Sequence, residues 1–169
     1  FVLPPLNEQS RLATTLAAQT DMIETKQEVL IALERCLKST RAQILSEGLL
    51  GKIDETTGLP VGWSREPLGN LVEFLDHKRV PVKEADRSKR RGEYPYYGAS
   101  GVIDSIDDYL FDEDLILVGE DGANVLDRSS PLAFKVSGKI WVNNHAHVLR
   151  VLVPNNIDYL VDYLESITY

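Results

Sequence analysis

The sequence predicts an α+β protein in which a long coiled-coil-type α-helix is followed by a small mixed α/β domain. Three observations predict it. No proline interrupts the chain between Pro5 and Pro60, and apolar residues in that stretch recur at every seventh position. Beyond Trp63 the pattern changes to short apolar runs separated by Gly, Asn, Asp and Ser clusters.

The helix is expected from about residue 7 to residue 47, within a helical region of residues 1–50. Asn7 offers an N-cap after Pro4-Pro5, Glu8 suits the positive end of the helix dipole, and Gly48 is a natural stop. Leu16, Ile23, Leu30, Leu37 and Ile44 form the seven-residue row, with Leu12 and Leu33 in the companion row and Met22, Val29 and Cys36 widening the stripe. Gln19, Lys26 and Thr40 interrupt the companion row. Such a helix is roughly 60 Å long, and its stripe calls for a partner helix, in this chain's own copy or another protein. The simpler alternative is a shorter helix packed on its own domain. Cys36, in mid-helix, reads as a small buried apolar residue.

Residues 51–62, with Gly51, Gly58, Pro60 and Gly62, read as a turn-rich linker to a domain over 63–169. In that domain strands are expected at 94–97, 115–118, 133–136, 140–142 and 146–152. A final helix is expected over 156–164, with Asn156 as cap and Ile157, Leu160, Val161 and Leu164 on one face.

Over 169 residues the formal charge is −8, which argues against nucleic-acid binding through a uniform positive potential. The charge is uneven, however. Between residues 78 and 92, Lys78, Arg79, Lys83, Arg87, Lys89, Arg90 and Arg91 outnumber Glu84 and Asp86 by five. A single cysteine excludes an intramolecular disulfide and suggests a reducing, cytoplasmic compartment. No apolar run approaches the roughly 20 residues that span a bilayer, so no membrane partner is expected. The opening on Phe1 suggests a fragment.

Three constellations can carry chemistry. The basic segment precedes the aromatic-glycine stretch 94–101, and a cationic loop beside small residues suits phosphates; the alternative is a plain solvated loop. Glu120, Asp121 and Asn124 follow the apolar run 115–118, where acids can accept from cytosine and asparagine can pair with adenine; the alternative is a tight polar turn. In Asn143-Asn-His-Ala-His147 the two histidines share a strand face and can bind a metal with Glu120 or Asp121, or simply cap a turn. The phosphate-cradling Gly-rich loops, the G-x-S-x-G elbow and the H-E-x-x-H helix are absent, and no cofactor is expected.

Three stretches resemble the specificity subunits of type I restriction-modification systems. Leu3-Pro-Pro-Leu-Asn-Glu-Gln9, running into a long helix, is similar to the junction between a target-recognition domain and its spacer helix. Leu59-Pro-Val-Gly-Trp63 with Pro67-Leu-Gly69 is similar to the start of the next target-recognition domain. Residues 94–101, 114–124 and 139–149 resemble the body of such a domain.

The resemblance implies a non-catalytic chain that reads one part of a bipartite target in double-stranded DNA, its helix acting as a spacer beside modification (methyltransferase) and restriction subunits. It also implies that the recognition domain is incomplete at its C-terminal end. On this reading Lys78, Arg79, Lys83, Arg87, Lys89, Arg90 and Arg91 hold the phosphate backbone. Tyr97, Ser100, Glu120, Asp121, Asn124, Asn144 and His145 lie nearer the base edges. Two competing expectations are a coiled-coil assembly module that does not read DNA and a metal-dependent hydrolase built on His145 and His147.

Overall fold

Pro5 holds the backbone extended, at φ −56° and ψ 150°, and its carbonyl already accepts the first helical bonds, from the Glu8 and Gln9 N–H groups at 2.9 Å each. Helix α1 therefore begins one residue earlier than expected and spans Leu6–Glu47 in a computed structural model that describes residues 3–49 and 51–167. Asn7 lies inside the first turn instead of capping it, its Oδ1 accepting from the neighbouring Glu8 N–H. Forty-two residues make the helix about 63 Å long. At its end Gly48, at φ 70°, takes a left-handed turn that costs no Cβ clash, and its N–H donates to the Ile44 carbonyl at 2.9 Å.

The chain divides into two units, one ending at Val61 and one beginning at Gly62. In the first, no described residue of α1 is buried. Leu12, Leu16, Ile23, Leu30, Leu33, Leu37 and Ile44 are all exposed. Cys36 is exposed too, which corrects the expectation of a buried thiol: a single helix has no second layer to cover its stripe. After the helix, Val61 N–H donates to Lys52 O and Asp54 N–H to Leu59 O, so the linker folds back on itself. The Asp54 Oδ1 closes the turn by accepting from the Thr56 and Thr57 N–H groups, and those backbone bonds hold its carboxyl below the usual range.

Among the described residues the second unit has eight strands, β1 (Val72–Phe74), β2 (Tyr94–Gly98), β3 (Gly101–Ile106), β4 (Phe111–Asp112), β5 (Leu115–Gly119), β6 (Ala133–Val136), β7 (Lys139–Val142) and β8 (Ala146–Val151), and three α-helices, α2 (Glu84–Arg87), α3 (Asn124–Asp127) and α4 (Ile157–Ser166). The strands form two four-stranded sheets, β1-β8-β5-β6 and β3-β2-β7-β4. The first sheet is antiparallel throughout; in the second, β2 and β7 run parallel.

The run Leu115-Ile116-Leu117 shows why the sheets stack. Alternate side chains of a strand face opposite ways, and all three are fully buried, so both faces of β5 must be covered. Leu115 and Leu117 join Val136 and Val148 from the same sheet, and Phe111, Ile140 and Val142 from the other, in the inter-sheet core. Ile116 faces the opposite way, with Val72, Ala133 and Leu149, against Leu160 and Leu164 of helix α4 (Ile157–Ser166). Asn156 caps α4 by accepting from the Tyr159 N–H at 3.0 Å. A third cluster, Tyr96, Ile106 and Trp141 on the second sheet, packs with Val82 from the basic segment.

Candidate nucleic-acid interface

The strand ends of the second unit bring three separate polar segments together. Gly119, where β5 ends, sits so close to the β2–β3 turn that a Cβ there would lie 2.6 Å from the Ala99 carbonyl oxygen. The Glu120 N–H donates to the His145 carbonyl at 2.9 Å, joining the β5 exit to the β7–β8 loop. That loop is tied in turn to β2, the Asn143 N–H donating to Tyr97 O at 3.1 Å. Asn143 is buried, and its Oδ1 accepts from the His145 N–H at 2.8 Å, forming the turn that carries the exposed Asn144 and His145. Ser100, Glu120, Asp121, Asn144 and His145 are exposed at this end, and Tyr97 is half-buried in β2 beside Phe134. Burial pushes the Tyr97 phenol up from its ordinary value.

Arg79 lies at the centre of this end. Its Nη1 donates to Glu120 Oε2 at 2.8 Å, to the Ala146 carbonyl at 2.9 Å and to the Asn144 carbonyl at 3.4 Å. Its Nε donates to the Asp76 carbonyl at 3.1 Å. With its side chain only 15% exposed, the guanidinium is engaged by the protein. Its donors are shared among the Asp76 turn, the β5 exit and the β7–β8 loop.

The two histidines have separate carboxylate partners. His145 Nδ1 lies 2.6 Å from Asp121 Oδ2, and His147 Nδ1 lies 2.6 Å from Asp76 Oδ2. Asp76 also accepts from the buried Val148 N–H at 2.8 Å. Burial opposes ionisation of this carboxyl, but the His147 and Val148 hydrogen bonds and the Arg79 charge outweigh it, leaving the group below the usual carboxylate range. Among the described residues no group of three or more His, Cys, Asp or Glu side chains is placed to hold a metal ion. Nor, among the described residues, is any helix long and apolar enough to cross a membrane.

The basic segment is a strap over the second sheet rather than a free loop. Trp141 Nε1 donates to the Val80 carbonyl at 2.7 Å, and the Val82 N–H donates to the Tyr96 hydroxyl at 3.0 Å. The Arg87 guanidinium lies 4.8 Å from the Tyr96 ring centroid and that of Arg90 lies 4.9 Å from Trp141. Arg87 Nε also donates to Asp104 at 2.9 Å and Arg90 Nε to Asp107 at 3.0 Å. The Arg87 bond, with the Ser105 N–H, holds the Asp104 carboxyl below its ordinary range. Arg87 and Arg90 are thus fastened to the sheet. Lys78, Lys83, Lys89 and Arg91 remain exposed. Lys89, 76% exposed, stands 3.6 Å from Asp86. The strap runs along β3 away from the Ser100 turn, so that Arg90, bonded at Asp107, is about 20 Å from it at the usual strand rise.

Asn124 lies off the exposed loop surface. It starts a single helical turn, α3 (Asn124–Asp127), and is buried, with 7% exposure. Its Oδ1 accepts from the Ser130 N–H at 2.7 Å and the Ser129 hydroxyl at 3.3 Å, while its Nδ2 meets no acceptor among the described residues. Pairing with adenine requires both amide atoms at a groove surface; this amide organises its own loop.

A family model, "Type I restriction modification DNA specificity domain", matches residues 60–168, which is nearly the whole second unit. The chain belongs to this specificity family. A candidate type I restriction enzyme specificity subunit from Haemophilus influenzae is 33% identical over 112 residues, covering 66% of this chain and 28% of the relative. The crystal structure of a type I restriction-modification S subunit from M. genitalium superposes with a TM-score of 0.59 at 20% identity, over 96% of this chain and 41% of that one. The HsdS subunit from Thermoanaerobacter tengcongensis gives 0.50 at 15% identity, over 98% and 42%. These two likenesses concern the fold. The chain therefore spans well under half the length of the specificity subunits it matches.

Two residues that organise this end, Asp76 and Asn143, are not among the candidates that the sequence offers. Asp76, just before the basic segment, anchors both His147 and Val148. Asn143 precedes the candidate Asn144, and an asparagine two residues before the turn's last N–H is the usual signature of an Asx turn.

Proposed function

We propose that this chain is the DNA-reading part of a type I specificity subunit, non-catalytic and cytoplasmic, that recognises one component of a bipartite duplex target. The observation that carries the proposal is the convergence of the β2–β3 turn, the β5 exit and the β7–β8 loop at one end of the matched domain. Ser100, Glu120, Asp121, Asn144 and His145 offer donors and acceptors there, including carboxylates suited to the cytosine amino group. Lys78, Lys83, Lys89 and Arg91 supply phosphate contacts. For the far end of the strap, at Lys89 and Arg91, the offset of about 20 Å along β3 corresponds to about six base pairs at 3.4 Å each, so that end and the loops suit different stretches of one duplex, while Lys78 stands beside the loops next to Arg79.

In this reading the exposed row of α1, from Leu12 through Leu16, Ile23, Leu30, Leu33 and Leu37 to Ile44, pairs with a second helix, from another region of the subunit or another copy. Methylation and cleavage belong to modification and restriction subunits. The test is association of the full chain, co-expressed with modification subunits, with a pool of randomised duplexes at several salt concentrations. Enrichment of one motif, with affinity falling as salt rises, supports the reading; binding without enrichment refutes it.

A further inference from the structure

We propose that Arg79 is a positioning residue of the DNA-reading end: it sets the relative placement of the β5 exit and the β7–β8 loop and makes no phosphate contact. The inference rests on the DNA-reading proposal for its consequence but on the fold for its geometry.

Arg79 follows the short 3-10 turn Asp76–Lys78, whose first residue is pinned to β8 through the Val148 N–H and His147. From that fixed root the guanidinium reaches four acceptors on three chain segments: the Asp76 carbonyl in its own turn, the Glu120 carboxylate beyond β5, and the Asn144 and Ala146 carbonyls around the β7–β8 loop. A planar fork with fixed donor directions can hold such a set at once, whereas an ammonium is a compact point charge that does not reproduce it. The side chain is 15% exposed and its nearest carboxylate is at 2.8 Å, so its charge is already answered within the protein. A phosphate would have to displace Glu120 to reach it.

Glu120 is in turn oriented twice, by Arg79 through its side chain and by the His145 carbonyl through its N–H. The candidate base-contacting residues Glu120, Asp121, Asn144 and His145 thus all lie within one or two residues of an atom that Arg79 holds or of the Glu120–His145 bond. Loss of the fork leaves the Glu120–His145 backbone bond as the tie between the two loops, and frees the Glu120 carboxylate and the Asn144 and Ala146 carbonyls from their shared donor without removing any group that touches DNA. The expected phenotype is loss of discrimination at a preserved electrostatic affinity.

The experiment compares wild type, Arg79→Lys and Arg79→Met in the full chain co-expressed with modification subunits. Three quantities are read: the ratio of affinity for the enriched duplex to that for a random 40-bp duplex, the slope of log affinity against log salt, and amide hydrogen exchange of residues 119–123 and 143–147 without DNA. Arg79→Met is expected to lower the ratio about tenfold or more, to leave the salt slope unchanged, and to speed exchange in both loops. Arg79→Lys keeps the charge and is expected to lower the ratio as well. A slope that falls by about 0.9 with the ratio preserved marks a phosphate contact and overturns the inference. So does a lysine variant with wild-type ratio, or a methionine variant with unchanged exchange.

A uniform loss on all duplexes, in proportion to a lowered folded fraction, marks a merely structural role and also overturns it. If Arg79→Met fails to fold, the lysine variant decides alone. If wild type enriches no motif, the DNA reading fails, and the exchange data still decide whether Arg79 positions the loops.

Discussion

Replacing Asp76 by alanine tests the root of the loop cluster. The carboxylate answers the Val148 N–H at 2.8 Å, and Val148 is fully buried, so removal of its acceptor costs about 1–3 kcal/mol. The bond to His147 adds about 1 kcal/mol, discounted because the imidazole is 40% exposed and screened by water. The expected loss is about 2–4 kcal/mol. At a urea slope of about 2 kcal/mol per molar, the midpoint moves down by about 1–2 M. Both tryptophans, Trp63 and Trp141, lie in the second unit, so fluorescence follows its unfolding even while α1 engages a partner.

The pH dependence is a second handle on the same residue. The folded carboxyl sits below its ordinary value, so its stabilisation is full above about pH 4 and is lost as pH falls through the folded value. The gap between wild type and Asp76→Ala should therefore narrow below about pH 4. A midpoint shift under about 0.3 M at pH 7, or a gap that widens in acid, refutes the assignment.

Other expectations concern distant parts of the chain. Gly119→Ala drives a Cβ to 2.6 Å from the Ala99 carbonyl, a backbone atom that cannot rotate away, and should cost about 1–3 kcal/mol in thermal unfolding. Ile116→Ala opens a cavity beneath α4, with an expected loss of about 2–5 kcal/mol by urea titration. Leu30→Lys with Leu37→Lys on the exposed row of α1 should abolish self-association or partner binding in sedimentation while leaving the tryptophan-detected midpoint within about 0.5 kcal/mol of wild type.

The elements that sequence alone revealed are those with a strong local signal. Helix α1 shows itself through its seven-residue row, β5 through an apolar run that only double-sided burial explains, and α4 through Asn156 and its one-sided spacing. Strands β1 and β4, of three and two residues, are too short for a period to register. Strand β3 is an edge on which Val102 and Ile103 are exposed and Asp104 interrupts the alternation. The segments forming the reading end were legible because polar residues cluster where strands stop. Their roles were not. Arg79 meets its partners 41, 65 and 67 positions away, and Arg87 and Arg90 stack on rings from other strands, so the sequence shows the basic run only as one phosphate-contacting loop. Asn124 sits in a glycine-flanked turn that looks exposed, but a bond to Ser130 draws it inward.

The most direct test of DNA reading by the loop end is a map of methylated sites from cells carrying this chain with modification subunits, compared with the map from a chain in which Ser100, Asp121, Asn144 and His145 are all alanine. The expected result is a change confined to one component of the recognised motif, with the other component and its spacing retained. An identical motif at undiminished occupancy would contradict it.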